Sequence, residues 1–99
     1  MAGAEGEGEL LGRVRSLRIR CELREDELRE AVASRGALAE LLDDSALYGD
    51  PEVVEALRWS MSQAMCVCDE RVEGLRTRLR RSEGDLDDAL GELRRAGRR

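Results

Sequence analysis

Three cysteines and a dense population of carboxylates and arginines are the residues here whose types could carry chemistry. Cys66 and Cys68 form a Cys-x-Cys pair, a spacing that can hold a soft metal. On a helix, however, the two side chains point about 200° apart. The chain has no His, and Cys21 alone does not complete the four ligands of a structural zinc site. These thiols read as small apolar core residues, and their odd number, with no signal peptide in view, points to reduced cysteines in a cytosolic or nuclear protein. The carboxylates raise the question of acid/base catalysis. That chemistry needs a His, a nucleophile beside a base, a Gly-rich loop or a concave site that lifts a pKa, and the sequence shows none of them. The acids therefore read as a solvated helix face, and neither an enzyme nor a cofactor is expected.

The basic residues, all seventeen of them Arg, are unevenly placed. Arg13, Arg15, Arg18 and Arg20 form one cluster, and Arg76, Arg78, Arg80 and Arg81 form another. A net charge of −5 argues against a nucleic-acid footprint over the whole surface, and no aromatic lies among the arginines to stack bases. The clusters read either as solvated helix faces or as a banded surface that docks on an acidic protein or, staggered, on a second copy of the chain.

The elements that must position these groups are helical. Leu, Ala, Glu and Arg dominate with a period near 3.5, aromatics are 2% of the chain, and alternating strand patterns are missing. At residue 50 a helix start is written plainly: Asp50 can cap the first turn, and Pro51 suits the first helical position. Beyond it apolar residues recur at Val54, Leu57, Met61, Met65, Cys68, Val72, Leu75 and Leu79, one stripe with a stutter at Leu57, Met61 and Met65. Residues 59–68, from Trp59 onward, carry no charge in a chain that is 39% charged. More than one face of this helix therefore meets other protein, and Trp59 joins the candidate partner-binding residues. Ten residues are too few to span a bilayer, so no membrane is expected.

Upstream, residues 1–9 read as a flexible acidic tail and residues 10–99 as a single helical bundle domain. A first seam steps through Leu10, Val14, Leu17, Cys21, Arg24, Leu28, Ala31, Arg35, Leu38 and Leu42, with a weak spot at Gly36. Residues 43–49 break the pattern and read as a connection between antiparallel helices. A symmetrical fold-back there sets Leu42 against Val54, Leu38 against Leu57, Leu28 against Cys68 and Leu17 against Leu79. It also brings Arg13 near Asp85, Glu25 near Arg76, and the two arginine clusters into one band, with a repulsive Arg20 and Arg78. Beyond Leu79, Ser82 and Asp85 have the spacing of a capping box and Gly84 weakens the helix, so a short third helix can begin. A single helix from Pro51 to about Ala96 is the alternative. The fold class is all-α: an antiparallel coiled-coil bundle of two long helices plus a short C-terminal third.

The run Arg13, Val14, Arg15, Ser16, Leu17, Arg18, Ile19, Arg20, Cys21, followed by Leu28, Arg29 and Glu30, is similar to the opening helix of the tubulin-binding cofactor A family. Cys68, Arg71, Val72, Glu73 and Leu79 stand where that family has a Cys, an Arg-Leu-Glu triplet and a Leu, and Asp50 with Pro51 resembles the start of its second helix in some members. The resemblance implies a three-helix bundle that captures β-tubulin without nucleotide or metal, in the cytoplasm and beside the cytoskeleton. The bottom-up rival is a structural coiled-coil subunit, a homodimer or small adaptor of a larger helical assembly.

Overall fold

The structure, a computed structural model, describes residues 2–45 and 49–98. These form two helices, α1 at Ala2–Ser45 and α2 at Pro51–Gly97, and no strand occurs among the described residues. Helix α1 takes in most of the stretch read as a tail and also Asp43, Asp44 and Ser45 from the expected connection. Ala46, Leu47 and Tyr48, the middle of that connection, lie outside the described residues. Helix α2 begins as its sequence dictates. The Asp50 carboxylate accepts from the Glu52 backbone N–H at 3.1 Å, and the Val54 N–H donates to the Asp50 carbonyl at 2.9 Å. Gly49 precedes the cap at φ 113°, a left-handed conformation that favours glycine.

The chain divides into two compact units. Unit 1 comprises Met1–Asp26 with Thr77–Arg99, and unit 2 comprises Glu27–Arg76. In unit 1, Val14, Leu17 and Ala89 form a buried cluster against which Leu86, Leu90 and Leu93 pack. In unit 2, Ala31, Val72 and Leu75 form the buried cluster, with Leu28 packed on it. In each unit the α1 numbers rise as the α2 numbers fall, so the two segments run antiparallel.

The pairing differs from a symmetrical fold-back by one heptad. Leu17 packs with Leu86 and Ala89 rather than opposite Leu79, and Leu28 packs with Val72 and Leu75 rather than opposite Cys68. Because a heptad shift returns the same seam phase, both registers bury the same stripe of α1. What separates them is the partner stripe. The observed register buries Ala89 and partly buries Leu86, Leu90 and Leu93, and apolar area removed from water contributes about 25 cal/mol per Å². It also sets acids across from arginines. Arg13 pairs with Glu92 at 3.7 Å, one heptad beyond Asp85, and Arg35 pairs with Asp69.

The same shift removes the expected third helix. Helix α2 runs unbroken through Ser82 and Gly84 to Gly97, the alternative that the spacing had left open. Leu75, Ser82 and Ala89 are successive buried positions at heptad spacing, so Ser82 is a small seam residue, 6% exposed, and not a cap. Gly84 lies on the outer face, where a helix tolerates it at about 1 kcal/mol. At the other end Leu57 leaves the seam. It is 46% exposed.

Candidate interaction surfaces

The arginines expected to form one band are all exposed. Arg13, Arg15, Arg18, Arg20, Arg78, Arg80 and Arg81 belong to unit 1, and Arg76 belongs to unit 2. In unit 1 an α1 arginine has a cross-helix carboxylate partner on α2. Arg13 reaches Glu92, and the surroundings of Cys21 include Arg20 and Glu25 from α1 with Glu83 and Asp85 from α2. In unit 2 Arg76 donates to Glu73, one turn back on its own helix, at 2.9 Å. In both pairs an arginine of these clusters answers a carboxylate. Exposed pairs of this kind contribute only about 0 to 1 kcal/mol each, and they select register more than they stabilise it.

Cys21 is buried within unit 1, Cys68 half-buried and Cys66 exposed, and all three are free thiols. Burial, with Glu83, Glu25 and Asp85 adding to it and Arg20 opposing, pushes the Cys21 thiol above its ordinary 9.0. Among the described residues no group of three or more His, Cys, Asp or Glu side chains is placed to hold a metal ion. Nor is any of these helices long and apolar enough to cross a membrane. A half-open cleft of about 400 Å³ in unit 2 is lined by Val32, Gly36 and Val72 with Arg35, Asp69, Glu73 and Arg76. Its charges answer one another, Arg35 with Asp69 and Arg76 with Glu73, which leaves it little field for a charged ligand.

The surface that asks for a partner lies elsewhere in unit 2. Val53, Leu57, Ser60, Ala64 and Val67 recur at steps of four and three, the spacing of a second coiled-coil seam. Every one of them is exposed, with Val53 at 55% and Val67 at 65%. At 100° per residue this stripe, offset by one residue, lies about 100° around α2 from the stripe that packs on α1. A solvated helix carries charge at such positions; this one carries none through residue 67. Leu41 of α1, 59% exposed, holds a comparable flanking position. A shallow depression edged by Glu52, Val53, Ala56, Leu57 and Ser60 opens on the same stripe.

Trp59, expected to bind a partner, is 69% exposed but stands roughly 100° from Ser60 and 200° from Leu57 around the helix. It belongs to another face. The second stripe was hidden in the sequence because Leu57 fits the first seam through a stutter. The signal that reveals it is the unbroken four-three spacing from Val53, offset by one residue from the seam of Val54, Met61, Cys68 and Leu75. No family model, curated protein or solved structure matches this chain.

Proposed function

We propose that the chain is a non-catalytic coiled-coil subunit or adaptor, which works by offering helix surfaces to other helices in a larger assembly. The observation that carries this is the exposed, uncharged stripe from Val53 to Val67, placed where a helix with nothing to bind would be charged. The stripe lies on a formed helix, so a partner need not order it first.

The test is the native size of the full chain in an extract of cells expressing it. The account expects it in a species well above 11.1 kDa, shifted downward by Val67→Arg and unmoved by the pair Arg15→Glu and Arg78→Glu. A species dissolved by the arginine pair and untouched by Val67→Arg would overturn it.

Capture of β-tubulin in the cytoplasm, beside the cytoskeleton, is a second function. It is supported by the residue resemblance to tubulin-binding cofactor A and by the exposure of all eight cluster arginines. Purified β-tubulin, set against an unrelated acidic protein, tests it directly. Selective capture that is lost with Arg15→Glu and Arg78→Glu would support it, and equal binding to both proteins would remove it.

A further inference from the structure

Resting on the subunit function above, we infer that the partner of the second stripe is the same stripe on a second copy of the chain, packed antiparallel about a two-fold axis near Ser60 and Ala64.

The spacing of the stripe reads the same in both directions. About a midpoint between Ser60 and Ala64, Ser60 meets Ala64 of the other copy and Leu57 meets Val67. Small residues thus lie at the axis, where the helices approach most closely, and larger ones lie on either side. This self-complementarity is what an isologous contact requires. The charges agree as well. The next position on the stripe is Arg71, which the same axis places beside Val53 and Glu52 of the other copy. Unlike charges close each end, while residues 53–67 along the stripe contribute no like-charge contact.

The exposed area points the same way. The chain exposes 7668 Å², against about 5,700 Å² for a folded monomer of this mass. The excess, about 2,000 Å² over the two units together, leaves room for the roughly 800 Å² per partner that a standard stable interface removes. Among the described residues no large side chain is fully buried, so a hairpin-to-hairpin contact would give unit 2 the second layer that it lacks.

The experiment is light scattering and sedimentation equilibrium on the purified full chain, with helicity checked by circular dichroism. The expected mass is twice 11.1 kDa. Leu57→Arg and Val67→Glu each raise the dissociation constant about tenfold or more, because each sets a charge against an apolar side chain. The double variant combines the two substitutions, and its introduced guanidinium on one copy meets the introduced carboxylate on the other only if the pairing is antiparallel. It recovers most of the loss. Leu23→Glu, at an exposed apolar position in unit 1, leaves the mass unchanged. A parent that stays monomeric to about 100 µM overturns the inference, while the subunit function stands or falls separately on its species in the extract. Single variants without effect, a double variant no better than either single, or equal disruption by Leu23→Glu would each overturn it as well.

Discussion

Arg13 of α1 lies 3.7 Å from Glu92 of α2, one heptad beyond the acid that a symmetrical fold-back would set beside it. The displacement recurs in the apolar contacts of both units, and it decides which residues are left for a partner.

Cross-linking reads the register directly. In a chain with Cys21→Ala, Cys66→Ser and Cys68→Ser, the pair Val14→Cys with Ala89→Cys should oxidise to a disulfide, since both positions belong to one buried cluster. Val14→Cys with Ser82→Cys, the partner in the symmetrical register, should not. The reverse result on a reducing and non-reducing gel would return the chain to that register.

Core and surface leucines should separate sharply in urea unfolding followed by circular dichroism. Leu75, 5% exposed in the unit 2 cluster, should lose about 2 to 5 kcal/mol as Leu75→Ala. Leu23, 57% exposed, should lose under about 0.5 kcal/mol as Leu23→Ala, since the higher helix propensity of Ala offsets part of any lost contact. Similar losses at the two sites would mean that the seam is misplaced.

Much of this fold was legible in the sequence. The Asp50 cap, the Pro51 start and the α1 seam through Val14, Leu17, Cys21 and Ala31 follow from local chemistry and period, and the structure buries those seam residues. Register was not legible, because heptad-shifted alignments present the same stripe and differ only in distant charges and in the fate of residues 86–93. The continuity of α2 was hidden for a related reason. Ser82 has the chemistry of a cap and Gly84 that of a break, and only burial against α1 shows Ser82 as a seam residue. The second stripe was masked because Leu57 served two patterns at once.

Gly84 offers a separate test of that continuity. It is exposed within α2, and an added Cβ meets nothing within 4 Å. Gly84→Ala should therefore stabilise unit 1 by about 0.5 to 1 kcal/mol, through the lower backbone entropy of the unfolded chain. A loss of stability by thermal melting would instead indicate a break at this position.

Cys21 sets a pH dependence at the alkaline end. Its thiol ionises above the ordinary 9.0 in the folded chain, chiefly because it is buried, and near 9.0 in the unfolded chain. Its neutral form is thus the one favoured by folding. Below 9.0 that contribution is fully present, and it is lost as pH rises from there through the folded value. Unfolding curves between about pH 8 and 11 should fall more steeply for the parent than for Cys21→Ala. Parallel curves would show that burial of this thiol has no such effect.

The central claim is that α2 serves two seams, one within the chain and one between copies. Amide hydrogen exchange at several protein concentrations tests it most directly. Protection over residues 53–67 should fall by about tenfold or more on dilution, as the second seam is uncovered, while protection around Val72 and Leu75 changes far less. Protection over residues 53–67 that is the same at every concentration would contradict it.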